Sequence, residues 1–205
     1  MVERQLINLN GNMLCSVDCE TTGLDPYLHE IIEICVLPLN SEYKPMRDIM
    51  PFHAVMKPDR PEQISNKAMK VNHLSLSELM SQGLDQFQCA DFFCEWFDNL
   101  RLAVGKKISP LGQNYCFDQA FIKRWLGIEA YQDIFHYHYR DTMHSALFLN
   151  DYATQQAEKT PYPKVNLAYL CSQLNVVNPD AHSALGDAIA TAEVYRKMLM
   201  RGTLI

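Results

Sequence analysis

The stretch Met13-Leu-Cys-Ser-Val-Asp-Cys-Glu-Thr-Thr-Gly-Leu24 constrains the fold more than any other part of the chain. Its apolar run, residues 13–17, predicts a buried strand, and Thr21-Thr22-Gly23 predicts the turn that ends it. Side chains alternate along a strand, so Asp18 and Glu20 share one face, with carboxylates roughly 6 to 7 Å apart. Cys19 points to the opposite face and is not a ligand. Two anions on one face of a core strand repel each other and resist desolvation. They require a positive partner, and a divalent cation is the simplest.

A chain of 205 residues with 48% hydrophobic content suits one domain, residues 1–205, with a full-sized core. A net charge of −6 and a pI near 5.6 exclude a protein that coats nucleic acid through bulk positive charge. They leave room for phosphate binding through metals. Met1-Val-Glu-Arg-Gln5 lacks the basic start and apolar run of a signal peptide, and no apolar run approaches the ~18 residues of a membrane span. The seven cysteines are odd in number, mostly set in apolar patterns and without a C-x-x-C pair. Reduced thiols in a cytoplasmic compartment follow, and a cysteine-rich zinc site does not.

After the first strand, residues 31–37 predict a second, stopped by Pro38, and residues 50–56 a third. Asp85 caps a helix whose Ala90, Phe93, Cys94, Phe97 and Leu100 form a stripe at 3.6-residue spacing. Residues 107–112 predict a fourth strand despite Pro110, residues 116–126 a helix, and 136–140 a fifth strand. Asp141 then caps a helix reaching about residue 149, residues 151–164 form a polar loop, and helices follow at 166–174 and 183–200. Three early strands followed by strand–helix alternation predict an α/β layer structure, with helices packed on a mixed five-stranded sheet.

Two further acidic sites accompany the first. In Asn114-Tyr-Cys-Phe117-Asp118, a helical reading places Asp118 on the face of Phe121, Ile122 and Trp125, where a carboxylate needs a partner. That partner is either a metal or the positive end of the helix itself. In Asp180-Ala-His182-Ser-Ala-Leu-Gly-Asp187, small residues surround the helix, placing Asp187 in a crowded interior. His182 precedes Ser183, the expected N-cap, on a loop over the site, where an imidazole of ordinary pKa can serve as general base.

The ordered set Asp18-x-Glu20, Asn114-x-x-Phe117-Asp118 and His182-x-Ala184-x-x-Asp187 resembles the three motifs of the DnaQ-like, or DEDDh, 3′–5′ exonucleases. Thr21-Thr22-Gly23 and Ile32-Glu33-Ile34 also match the first motif region, and the likeness extends over residues 14–194. The sister branch places a tyrosine four residues before the last aspartate; here that residue is Ser183, and His182 marks the histidine branch. The resemblance implies a ribonuclease H-like fold and two divalent cations, Mg²⁺ or Mn²⁺. Asp18 would bridge the two ions, Glu20 and Asp187 hold the one that activates water, and Asp118 hold the other. His182 would take the proton, and nucleoside 5′-monophosphates would leave a 3′ end.

The resemblance further implies that Thr21, Thr22 and Gly23 grip the terminal nucleotide and that Leu24 wedges near its base. Asn72, in Ala68-x-x-Val71-Asn72, would approach the 3′-hydroxyl, Asn114 would border the site, and Phe117 would pack either on the nucleotide or in the core. Gln113 and His73 depart from the family's common histidine and glycine, which bears on substrate preference and not on the catalytic centre. The motif favours DNA over an RNA-trimming or short-oligoribonucleotide activity, and a non-catalytic nucleic-acid-binding subunit is the remaining alternative. A polymerase or other replication or repair protein acting in trans is the expected kind of protein partner, and no membrane is. His136, His138 and His144 read as strand packing in preference to a zinc site. Lys106-Lys107 and Lys123-Arg124 read as solvated faces, and the ten methionines as core filler.

Overall fold

β2 (Asn12–Thr21) is buried along nearly its whole length because it lies at the centre of the sheet. The computed structural model describes residues 7–8, 11–72 and 74–202. Met1–Gln5 and His73, singled out above, lie outside the described residues. The two-residue β1 (Ile7–Asn8) pairs antiparallel with the start of β2. β3 (Ile31–Pro38) runs antiparallel to β2 on one side, and β4 (Phe52–Val55) extends the sheet beyond it. On the other side β5 (Ile108–Gly112) and β6 (Arg140–Asp141) run parallel to β2, giving the order β4-β3-β2-β5-β6. This is the mixed five-stranded sheet expected, with β1 added at its edge of the central strand. Pro110 occupies β5 opposite Cys15, and β6 pairs only beyond it, at Leu111 and Gly112; proline has no N–H to offer a ladder.

Alternation along β2 decides what each face meets. Met13, Cys15, Val17 and Cys19 enter a core with α3 (Gln86–Val104), α4 (Tyr115–Leu126) and α5 (Ile128–Ile134). Leu14 faces the other way, onto Ala184, Ala188 and Ala192 of α8 (Ala184–Gly202). Ser16 donates to the Ala188 carbonyl at 2.7 Å, so the small side chains bring helix backbone against strand side chain. The outer face of α8 is covered by α6 (Thr142–Gln155) and α7 (Leu167–Leu174) through Ala146, Leu170, Val194 and Met198. Packing on both sides is what the alanine-rich sequence of α8 predicts. Among the described residues no helix is long and apolar enough to cross a membrane.

Two expectations are corrected. Residues 136–139 are not strand: the His138 N–H donates to His136 Nδ1 at 3.1 Å, the His136 and Tyr137 rings stack, and His138 meets Tyr137 edge-on. A local side-chain bond gives the backbone an alternative to the ladder, and only residues 140–141 pair. Residues 151–155 are not loop, because α6 continues through them. Ala153 carries the buried stripe one turn further while Asp151, Thr154 and Gln155 face solvent. Two short helices not anticipated, α1 (Asn66–Asn72) and α2 (Leu76–Gln82), precede α3; Ser75 caps α2 by accepting from Glu78 N–H.

Candidate active site

The even-numbered face of β2 carries Asp18 and Glu20 past the end of Leu14 and Ser16, toward the start of α8. β5 pairs with β2 only as far as Ser16, so the backbone of Cys19 has no ladder partner on that side. The Asp118 carboxylate takes its place, accepting the Cys19 N–H at 2.9 Å from the first turn of α4. Asp118 is thus delivered to the strand carrying the other two carboxylates, although it comes from the opposite layer. It is buried, as is Glu20.

Burial and mutual repulsion resist ionisation throughout this cluster. Loss of hydration pushes Glu20 up to about 8, with Asp187, Glu33 and Asp118 adding like charge. Asp118 is likewise pushed up to about 8 by burial, against the lowering effect of its backbone hydrogen bonds. Asp18 is raised well above the usual range by burial, then by Asp118, Asp187, Glu20 and Glu33. Asp187 is raised by burial, countered by hydrogen bonds from the Asn178 side chain and the His182 backbone.

The turn after β2 is tightly specified. Thr21 Oγ donates to the Gly23 carbonyl at 2.7 Å, and Thr22 bonds Glu30 through both backbone and hydroxyl. The His29 ring lies where a Cβ on Gly23 would stand, 2.1 Å away. Asn72, buried at the end of α1, donates its amide to the Thr21 carbonyl at 2.9 Å. Leu24 projects beyond this frame, 81% exposed. Asn114 adopts the left-handed region (φ 60°), and Phe117 packs on Phe121 at a ring separation of 4.9 Å.

His182 is exposed and also left-handed, at φ 67°, a conformation costing a non-glycine residue roughly 1–2 kcal/mol. It stands at the mouth of the cluster, where Glu20, His182 and Asp187 bring ligand atoms within 4.8 Å of one another. Asp18 and Asp118 lie outside that trio and border it electrostatically. His136, His138 and His144 form no comparable group among the described residues.

An exonuclease family model, of the RNase T type, matches residues 16–195, the span holding all three acidic motifs. The chain belongs to the DnaQ-like 3′–5′ exonuclease family. Comparison with curated proteins gives no significant match. Solved structures extend the likeness to the fold. The zinc-bound Escherichia coli exonuclease I–single-stranded DNA complex superimposes with a TM-score of 0.74 at 18% identity, covering 94% of this chain and 41% of that one. A dT13 complex of the same E. coli enzyme gives 0.72 at 18%, covering 94% and 42%. Exonuclease I from the moderately thermophilic Methylocaldum szegediense gives 0.72 at 20%, covering 94% and 41%. The chain spans about two fifths of the length of these structures.

In this member of the family the donor set fits hard divalent cations. All its carboxylates are oxygen donors, and a cation among them would relieve the repulsion that now opposes their ionisation. Of three neighbours of the site, the sequence gives no sign of Asn178, places Asp141 only as a helix cap and Glu33 only within the first motif region. Asn178 donates to Asp187 Oδ1, and its own Oδ1 is buried without a partner among the described residues. Asp141 accepts the N–H groups of Asn114 and Tyr115, at 3.1 and 2.7 Å, and so fixes the start of α4. Glu33 lies directly across from Glu20 in the β2–β3 ladder. A signal for Glu33 existed: one acid inside an otherwise apolar strand.

Proposed function

We propose that residues 1–205 act as one exonuclease unit that hydrolyses nucleic acid, DNA in preference to RNA, from the 3′ end to nucleoside 5′-monophosphates. The convergence of Glu20, His182 and Asp187 beside Asp18 and the strand-bound Asp118 supports this reading most directly. Asp18, Glu20 and Asp187 would hold one divalent cation, and Asp18 with Asp118 a second, Mg²⁺ or Mn²⁺. When bound, such ions lower the pKa of water and neutralise charge on the scissile phosphate and leaving oxygen.

The chain's own residues do the rest. His182, exposed and next to two carboxylates, accepts the proton of the attacking water. Asn178 orients the Asp187 carboxylate through its amide. The turn of Thr21, Thr22 and Gly23 offers backbone to the terminal nucleotide, held in shape by Asn72 from behind. Leu24 meets the base as an exposed apolar wedge, while Phe117 and Asn114 border the sugar.

The test is degradation of 5′-labelled single-stranded DNA, RNA and very short oligonucleotides under one Mg²⁺ condition. A ladder shortening from the 3′ end is expected, fastest on DNA, with Asp18→Ala slower by about a hundredfold or more. Full activity in Asp18→Ala would overturn the assignment. Faster trimming of RNA or of dinucleotides would move the substrate and leave the chemistry in place.

A further inference from the structure

Glu33 is a buried carboxylate that the proposed chemistry does not use, and burying it beside three others is unfavourable. Its contacts indicate what is obtained in exchange. Its Oε1 accepts from His53 Nε2 of β4 at 2.7 Å and from Ser183 Oγ at 3.2 Å. Ser183 directly follows His182, whose left-handed backbone needs support from its surroundings. The same turn is held by Ser183 N–H on the Asp180 carbonyl at 3.1 Å and by Asp187 N–H on the Ser183 carbonyl at 2.9 Å. The Ser183–Glu33 bond ties this turn to the sheet across 150 residues of sequence.

We propose that Glu33, braced by His53, is a positioning residue that fixes the His182 turn against the sheet through the Ser183 hydroxyl. This role requires no contact between Glu33 and substrate or metal. A charged acceptor suits the task because its hydrogen bonds are shorter and stronger than those of an amide. Glutamine at 33 keeps the shape and removes like-charge repulsion, so Glu33→Gln retains or gains stability while positioning is loosened. A purely structural residue would show the opposite pattern.

This inference rests on His182 acting at the site, and its test keeps the two apart. Ser183→Ala, Ser183→Thr, Glu33→Gln and the Ser183→Ala/Glu33→Gln pair are compared by two measurements. The first is kcat and KM on a 5′-labelled oligonucleotide with Mg²⁺. Ser183→Ala and Glu33→Gln are each expected to lower kcat about tenfold with KM within about twofold. Ser183→Thr, which keeps the hydroxyl, restores kcat, and the double variant is no slower than the slower single. The second is amide hydrogen exchange of metal-free protein, which requires no turnover. Exchange over residues 181–187 is expected to quicken about tenfold in both single variants, with the sheet unchanged.

Additive losses of kcat, losses confined to KM, or unchanged exchange at this turn would each overturn the proposal. Absence of turnover in the wild-type protein would count against the exonuclease reading alone. The exchange measurement would still decide the role of Glu33.

Discussion

Gly186 lies inside α8 with no positive φ, so conformational freedom is not what the position requires. A Cβ there would stand 2.3 Å from the Asp180 carbonyl oxygen, which belongs to the turn presenting His182. Backbone cannot rotate aside as a side chain can, so the turn would have to move. Gly186→Ala is therefore expected to destabilise by about 1–3 kcal/mol in urea melts and to lower kcat about tenfold or more. At Gly23 the obstacle is the His29 ring, a side chain, and Gly23→Ala should cost less stability. Equal effects at the two glycines would contradict the distinction. At this scale the sequence was informative wherever a residue's type was unusual for its position: Asp18, Glu20 and Asp118 all stood as acids within apolar patterns. Asn178 carried no such signal, because an asparagine before a proline in a polar loop looks like any turn residue.

Asp141 joins two elements with one side chain. Its Oδ1 accepts from Met143 and His144 at the start of α6 and from Asn114, while Oδ2 accepts from Tyr115 at the start of α4. Asp141→Ala removes a cap and leaves the buried Tyr115 N–H unpaired, with the N–H of exposed Asn114 turned over to water, for a loss of about 2 kcal/mol or more in chemical denaturation. Asp141→Asn keeps two acceptor positions at most and should fall between; a loss under about 1 kcal/mol for the alanine variant would show that water replaces these bonds. The capping half of this arrangement was legible, as was the cap at Asp85, because Asp before a periodic apolar run is a local signal. The reach of Asp141 to α4 was not, since it depends on β6 lying beside β5. The same limit hid the turn at 136–139, where alternating rings imitate a strand, and the last turn of α6, whose buried stripe is carried by one alanine.

Across the whole molecule, the first strands in their succession along the chain and the three motifs could be read from sequence because each motif sits at the end of a recognisable element. The crowding of charge at their meeting point could not, for Glu33 joins the cluster only through the β2–β3 register. That crowding has a consequence for stability. Glu20 rises from 4.5 to about 8, and Asp118 from 3.8 to about 8, each chiefly through burial. Below about pH 4 the folded and unfolded chains both hold these protons. Between there and about pH 8 the folded state retains protons the unfolded state has released. Stability therefore falls as pH rises, by about 1.4 kcal/mol per pH unit for each such group, less where neighbours share one proton. Protein treated with EDTA should show a declining urea midpoint from pH 5 to pH 8. Asp118→Asn, which can still accept the Cys19 N–H, should decline less steeply. Mg²⁺ competes with protons for the same carboxylates, so its stabilising effect should grow from pH 5 to pH 8 and flatten the profile. A midpoint independent of pH in EDTA, or a Mg²⁺ effect largest at pH 5, would show that these carboxylates do not share a cation site.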